Sequence, residues 1–369
     1  MRTKGNAKIL PIVVGIILVI IIVFIATIGI KNTPVPKVGF IMTGSVEDSG
    51  WNGMHYQGVK WACDELGTEL LVKENILEGT GECEQAIREL VSDGATLIIL
   101  SSYSYPLEVK AVIEEYSDIS FYTTSAEYYT DNMTSYFGRM YQVRYLAGII
   151  AGMQTQNNQI GYVAAMQNIE VNRGINAFAL GVKKVNPEAQ IHVIWTGSWD
   201  NQQEEEQAAD ILINEVGVDM ITYHQNQHYV AKVADAAGIY SIGYNEVITG
   251  MSDKYLTAAV FDWNVFYYEI IKEFCQGRAN SVKMHWYGLD EAVIRLSDFS
   301  PAVSEETRRI VEEERQRLMS GQTVFSGEIY DNRGILRCAE GENISDHILL
   351  EKMDWYVDGV NIYEGTKEY

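Results

Sequence analysis

Continuous apolar runs alternate along the chain with segments that have helical apolar spacing. The runs at residues 37–42 (KVGFIM) and 96–100 (TLIIL) predict buried strands, and residues 52–66 predict a helix between them. Strands that are apolar throughout are typical of parallel sheets that helices cover on both faces. This part of the chain therefore predicts a doubly wound α/β lobe.

The same alternation starts again in the middle of the chain. Residues 159–164 (QIGYVA) and 190–195 (QIHVIW) predict strands, with a helix between them. Two successive strand–helix series of similar length indicate two doubly wound lobes, residues 37–157 and 158–254. Residues 255–369 are too few for a third lobe, so we expect them to cross back and complete the first two.

The N-terminus has a different pattern. Residues 1–8 contain three basic side chains, and residues 9–30 form an apolar run that would extend about 33 Å as a helix, enough to cross a bilayer. Because a basic flank favours the cytoplasmic side, this transmembrane anchor would place the rest of the chain outside. Residues 31–36 (KNTPVP) predict a linker. The alternative is a signal segment that is cleaved, after which the chain is secreted.

Composition excludes several classes of function. The net charge of −22 repels phosphate backbones, so we expect no nucleic-acid partner. The four cysteines form no CxxC pair, which disfavours a zinc or iron–sulfur site and leaves free thiols or a disulfide open. There is no GxSxG, P-loop or GxGxxG motif, and His224 and His228 lack an HExxH context. We therefore predict a protein without enzymatic activity, cofactor or metal.

The loops after the predicted strands hold the candidate site, because ligands of open α/β sheets bind beyond the carboxyl ends of the strands. These loops are rich in Trp, Tyr, Ser, Asn and Gln and poor in Lys and Arg. That composition suits a flat, neutral ligand with hydrogen-bonding edges. The candidate ligand-binding residues are Asp48, Trp51, Asn52, Ser102, Thr124, Ser125, Trp199, Asp200, Gln225, Asn245, Asp262 and Trp263.

Trp51 and Trp199 lie in corresponding strand-to-helix turns of the two predicted lobes. Facing each other across a cleft, the two indoles would hold an aromatic ring between them. The alternative is that each indole covers the core of its own lobe. For the Asn and Asp candidates, the alternative role is capping of the helix that follows.

Several long blocks, in a fixed order, carry a family resemblance. They are residues 47–58 (EDSGWNGMHYQG), 138–152 (GRMYQVRYLAGIIAG), 172–187 (NRGINAFALGVKKVNP), 195–209 (WTGSWDNQQEEEQAA), 325–334 (FSGEIYDNRG) and 353–360 (MDWYVDGV). On these blocks the chain, from about residue 37 to its end, resembles the basic-membrane-protein family of ABC-transporter solute-binding proteins, which includes purine-nucleoside receptors. The resemblance implies a type I periplasmic-binding-protein fold with two lobes, three crossovers and a hinge.

The resemblance also implies roles for single residues. Trp51 would stack on a purine, Asn52 would bond to its edge, and Trp199 would supply the second stacking surface. Three positions depart from the family pattern, because Asn245 replaces an Asp, Phe261 replaces a Lys, and Thr124 or Ser125 replaces a further Asp. Each departure removes a charge that would hold a sugar. The expected ligand is a purine base or a purine nucleoside, and the choice between them stays open.

Three functions follow from these features. The leading one is capture of the small molecule and its delivery to an ABC permease in the membrane. The second is a membrane-tethered sensor that binds a similar ligand without transport. The third is an enzyme such as a nucleoside hydrolase, which would need more carboxylates than the loops supply.

Overall fold

A computed structural model describes residues 35–48, 50–124 and 130–363. The chain divides into two compact units, Met1–Pro36 and Lys37–Tyr369. The predicted membrane segment at residues 9–30 and the candidate Ser125 lie outside the described residues. Across the described ranges, no helix has the length and apolar character needed to cross a membrane.

The first sheet has six strands, all parallel to their neighbours. They are β1 (Lys37–Ile41), β2 (Glu69–Lys73), β3 (Leu97–Leu100), β4 (Ser120–Thr124), β5 (Met133–Gly138) and β11 (Met284–Tyr287). Their spatial order is β11-β5-β4-β3-β1-β2. All four residues of β3 are buried, alternately in two apolar clusters on opposite faces of the sheet. The prediction of strands covered on both faces is thus confirmed for this sheet.

The second sheet has seven strands. They are β6 (Gln159–Ala164), β7 (Gln190–Trp195), β8 (Met220–His224), β9 (Tyr240–Asn245), β10 (Tyr255–Phe261), β12 (Ile294–Leu296) and β15 (Val360–Ile362). Their order is β12-β10-β9-β8-β6-β7-β15, and only the β10–β12 pair is antiparallel. A separate small hairpin joins β13 (Ile329–Tyr330) to β14 (Leu336–Cys338). We refer below to each large sheet with its helices as the first and the second lobe; the predicted lobe boundaries stay a prediction.

Helices connect the strands. They are α1 (Trp51–Leu66), α2 (Glu82–Ser92), α3 (Tyr105–Glu108), α4 (Lys110–Glu115), α5 (Met140–Gln154), α6 (Ile169–Val185), α7 (Gln202–Ile211), α8 (Tyr229–Ala237), α9 (Trp263–Cys275), α10 (Glu305–Met319) and α11 (Asp346–Glu351). A π-helical turn, Leu212–Val216, continues α7.

Helices α5 and α6 pack with their backbones almost in contact, and two glycines make this possible. A Cβ at Gly148 would lie 2.0 Å from the carbonyl oxygen of Phe178, and one at Gly181 would lie 2.0 Å from that of Tyr145. No side chain fits at either position, so glycine fixes the spacing of the two helices.

Four strands were not predicted, and each has a physical reason. Strand β5 reads MTSYFG, whose Thr and Ser interrupt the apolar pattern, yet all six residues are buried. Strands β11, β12 and β15 have three or four residues each and lie at sheet edges, where few neighbours impose a pattern.

Candidate functional site

The carboxyl ends of the two sheets are joined by direct hydrogen bonds. The Trp51 backbone N–H donates to Asn226 Oδ1 at 2.7 Å, and Gln227 Nε2 donates to Asp48 Oδ1 at 3.2 Å. A Cβ at Gly50 would lie 2.5 Å from the Asn226 carbonyl oxygen, so the two edges are in close contact there. The loops that sequence reasoning selected in each lobe therefore meet.

The loop before α1 is held by a network of its own side chains. Asn52 Oδ1 accepts from the Thr43 hydroxyl at 3.1 Å and from the Gly44 N–H at 3.2 Å, and Asn52 Nδ2 donates to Asp48 Oδ2 at 2.9 Å. Asp48 Oδ1 also accepts the Gly50 N–H at 2.8 Å. Asp48 and Asn52 thus fix the start of α1. That Asn52 bonds to a ligand edge stays a prediction.

Trp51 is held at both its backbone and its side chain. Its indole Nε1 donates to the carbonyl oxygen of Ser101 at 2.8 Å. Its ring meets Trp263 edge-on at a centroid distance of 5.6 Å and Phe261 at 6.3 Å. The indole is half-buried, with its orientation fixed before any ligand is bound.

Trp263 lies behind Trp51 rather than in the open part of the cleft. It is 3% exposed and stacks on Phe261 at 4.4 Å with an interplanar angle of 16°. The His55 ring is also close, with its centroid 3.8 Å from that of Trp263. Asp262 caps α9 by accepting the Val265 N–H at 3.4 Å. In this geometry Trp263 supports the site through packing, and Asp262 has the capping role that was the alternative for an Asp.

A row of rings connects Trp199 to Trp51 along the ends of β8, β9 and β10. The centroid distances are 6.0 Å for Trp199–His224, 4.3 Å for His224–Tyr244, 6.5 Å for Tyr244–Phe261 and 6.3 Å for Phe261–Trp51. We call these five rings the aromatic wall. Trp199 is 42% exposed at one end of the wall, so its face is available to a ligand.

Buried polar atoms without partners lie beside the aromatic wall. Both amide atoms of Asn245 lack a hydrogen-bond partner among the described residues, although the side chain is completely buried. Gln225 Oε1 and Thr124 Oγ1 are also buried and have no hydrogen-bond partner within the described ranges. Because buried amides are nearly always bonded, we expect an external partner to bind at these strand ends. Asn245 also has a φ of 69°, a conformation that Asn tolerates better than most residues.

The remaining candidates have other partners. Ser102 Oγ donates to Glu78 Oε1 at 2.5 Å. Asp200 Oδ2 accepts weakly from Asn226 Nδ2 at 3.5 Å, and the cap of α7 is Asn201 rather than Asp200. Asp48 does not cap α1 either, since Gly50 occupies that position.

The second lobe carries a buried charged cluster behind the wall. Arg144 Nη2 donates to the Tyr223 carbonyl at 2.8 Å, and the guanidinium lies 4.2 Å from the centroid of the Tyr244 ring. His224 Nε2 is 3.5 Å from Glu170 Oε2. Burial lowers the pKa of His224 well below its usual value, and Arg144 and Arg173 lower it further, so the imidazole is neutral at pH 7.

The predictions about metals and thiols can be compared with the structure. Within the described residues there is no group of three or more His, Cys, Asp or Glu placed to hold a metal. His228 Nδ1 pairs with Glu246, whereas His224 pairs with Glu170, so the two histidines serve different partners. All four cysteines are free; Cys275 is exposed and the others are buried.

Sequence reasoning missed the residues that link the candidates. Tyr244 belongs to a strand, where an aromatic side chain predicts core packing, and His224 was considered only together with His228 as a metal candidate. Asn226 and Gln227 fall in the polar run that follows β8, but which lobe they contact is a tertiary property. Glu170 falls in the loop region after β6 and resembles an ordinary acidic residue in the first turn of a helix.

The two parallel-sheet lobes, with a polar and aromatic site between their carboxyl edges, define the class of two-lobed α/β solute-binding proteins. Residues 35–327 match the family described as ABC transporter substrate-binding protein PnrA-like, and the chain belongs to that family. The resemblance seen in the sequence is thereby confirmed.

Individual relatives extend this comparison. A purine-binding protein of Brucella abortus is 33% identical over 329 residues, which cover 88% of this chain and 93% of that protein. A Haloferax volcanii protein, provisionally named an ABC transporter glucose-binding protein, is 32% identical and covers 88% of this chain and 80% of its own length.

Solved structures share the fold. An ABC transporter solute-binding protein from Aeropyrum pernix has a TM-score of 0.66 at 20% identity and covers 78% of this chain and 92% of its own. A transcriptional activator of the comK gene from Bacillus halodurans has a TM-score of 0.67 at 22% identity, over 78% and 99% of the two chains. These likenesses support the α/β periplasmic-binding type of fold.

Proposed function

We propose that this chain captures a purine base or purine nucleoside between its two lobes and delivers it to an ABC permease. The observation that carries the proposal is the aromatic wall between Trp51 and Trp199, beside the unpartnered amides of Asn245 and Gln225. A purine offers a flat face for the indoles and a polar edge for the amides. Stacking of a base on an aromatic side chain contributes about 1–3 kcal/mol.

The polar part of this site suits the edge of a heterocycle. An Asn side chain offers two donors and an acceptor, and a Gln side chain offers the same set. Gln225 Nε2 already donates to Thr196 Oγ1 at 2.9 Å, which leaves its oxygen to accept from a ligand. The Brucella relative, named as purine-binding, supports the same ligand class.

Delivery to a permease requires that the ligand favour the closed arrangement of the lobes over the open one. The bonds from Asn226 and Gln227 to the loop before α1 join the two edges and would form only on closure. A ligand that contacts both edges adds to this preference. On this proposal the chain works on the extracytoplasmic side, either anchored by its N-terminal apolar segment or released after cleavage, and catalyses no reaction.

A sugar is the second candidate ligand, because the Haloferax relative is named for glucose binding. Aromatic faces also stack on sugar rings, but glucose needs polar partners around its whole circumference. On one side of this site the surface is the half-buried indole of Trp51, with the buried rings of Phe261 and Trp263 packed behind it. This surface favours the purine.

Calorimetric titration of the full-length chain with hypoxanthine, adenine, inosine and glucose tests the proposal. We expect at least one purine to bind with a dissociation constant in the micromolar range or below, and glucose to bind far more weakly. Tight binding of glucose with no response to purines would overturn the proposed ligand class.

A further inference from the structure

Glu170 is an acidic group at the second-lobe edge that the proposed function does not yet use. It is the second residue of α6, directly beyond β6, and its carboxylate retains 17% exposure. Within the described residues, its one polar contact is His224 Nε2 at 3.5 Å. A carboxylate offers about four acceptor positions, so most of its capacity is unused by this contact.

His224 holds Glu170 in relation to the aromatic wall. As a neutral imidazole it donates from one nitrogen only, and the tautomer with a hydrogen on Nε2 is the one that would donate toward Glu170. The other nitrogen, Nδ1, faces inward, since a Cβ at Gly174 would lie 3.5 Å from it. His224 therefore connects the carboxylate to the ring row that includes Trp199 and Tyr244.

The surroundings act on the Glu170 carboxyl in two opposed ways. Burial raises the pKa of Glu170, while Arg173 and Arg144 oppose the rise. Arg144 is itself bonded to the Tyr223 carbonyl, and Arg173 Nη1 donates to the Leu349 carbonyl at 2.6 Å. The two guanidinium groups thus act on Glu170 through space and leave its oxygens accessible to another donor.

Glu170 and Asn245 both belong to the second-lobe edge, on either side of His224. In the order β9-β8-β6, Asn245 ends β9, His224 ends β8, and Glu170 lies in α6, beyond the end of β6. A purine that stacks on the aromatic wall between them would place one edge toward each. Asn245 would then face the pyrimidine edge of the base and Glu170 the imidazole edge.

We propose, building on the function above, that Glu170 accepts a hydrogen bond from the imidazole-ring N–H of the ligand and so selects a free purine base over its nucleoside. A free base carries a hydrogen on N7 or N9. In a nucleoside N9 bears the sugar, and N7 is an acceptor that a carboxylate repels. Phe261 and Trp263 are each 3% exposed, so they offer the sugar hydroxyls no accessible side-chain partner.

Binding of hypoxanthine, 7-methylhypoxanthine, 9-methylhypoxanthine and inosine to the full-length chain tests this inference. The wild-type chain should bind hypoxanthine about tenfold to hundredfold more tightly than inosine and both methylated bases, because these three ligands lack an imidazole-ring N–H and hydrogen bonds to charged groups are among the stronger ones. Glu170→Gln should reduce hypoxanthine affinity by a similar factor and leave inosine within twofold. Glu170→Asp, which keeps the charge on a shorter side chain, should retain part of the preference.

The control is Glu305→Gln, which alters an exposed first-turn glutamate of α10 and should change none of these affinities. If the wild-type chain binds hypoxanthine and inosine equally, or if Glu170→Gln weakens both equally, the role of Glu170 is wrong while purine binding stands. If no purine binds, the proposed function itself fails. Should Glu170→Gln melt at a much lower temperature, the wild-type comparison of hypoxanthine with its two methylated forms still decides the question.

Discussion

The two edges of the site differ in how completely their polar groups are satisfied. In the first lobe, Asp48, Asn52 and the Trp51 indole are all bonded to protein atoms, whereas the Thr124 hydroxyl has no partner among the described residues. In the second lobe, neither amide atom of Asn245 has such a partner, Gln225 is bonded only through its nitrogen, and Trp199 is 42% exposed. On the proposed function, we expect the first lobe to supply the rigid stacking surface and the second lobe to supply most of the groups that distinguish one ligand from another.

Replacing the rigid surface should have the largest effect. Trp51→Ala removes both the stacking face and the bond to Ser101, and we expect purine affinity to fall by about 3 kcal/mol. The matched control is Trp61→Ala, which removes an exposed indole from the same helix and should leave affinity unchanged. Calorimetry measures both. If the two variants bound purines with equal affinity, Trp51 would have no role in ligand binding.

The second-lobe edge is tested by Asn245→Gly. Glycine accepts the φ of 69° without strain, so only the amide is lost. We expect affinity to fall by about 2 kcal/mol while the melting temperature stays nearly constant, because no protein bond is broken. Asn75→Gly, at an exposed position with a φ of 57°, is the control. A loss of stability without a loss of affinity would mean that Asn245 serves the fold alone.

The helix after the Trp199 loop should make stability depend on pH. Burial raises the pKa of Glu205 from 4.5 to about 8, so folding favours its protonated form. The free energy of unfolding should therefore decrease as pH rises from about 4.5 to about 8, by about 1–2 kcal/mol. Thermal melts of wild type and Glu205→Gln at pH 5, 6.5 and 8 measure this. Parallel pH profiles for the two proteins would contradict it.

The contact between the edges should contribute least. Gln227→Ala removes the bond to Asp48, and we expect affinity to fall by about 0.5–1 kcal/mol, mainly through faster release of the ligand. Gln85→Ala on the outer helix α2 is the control. Unchanged release rates, measured by stopped-flow fluorescence, would mean that the bond has no part in holding the lobes closed.

The sequence predicted the fold where burial dictates the pattern. Strands β6 and β7 were predicted with their observed bounds, since each is a mostly apolar run. Strand β5 was missed because Thr134 and Ser135 are buried despite their hydroxyls. Short strands at the sheet edges have too few residues to show a period.

The site was predictable only in part, for a related reason. Trp51 and Trp199 stand out because large aromatics in polar loops are unusual. His224 and Tyr244 do not stand out in the sequence, because an aromatic side chain at the end of a strand is usually part of the core. The bond from Asn226 to Trp51 joins residues 175 positions apart, and no local pattern encodes such a contact.

A crystal structure of the full-length chain with hypoxanthine would be the most direct test of the clamp between the lobes. We predict that the purine ring lies between the indoles of Trp51 and Trp199, about 3.5–4 Å from each, with its edge toward Asn245. A purine bound elsewhere, or indoles turned away from the ligand, would contradict this arrangement.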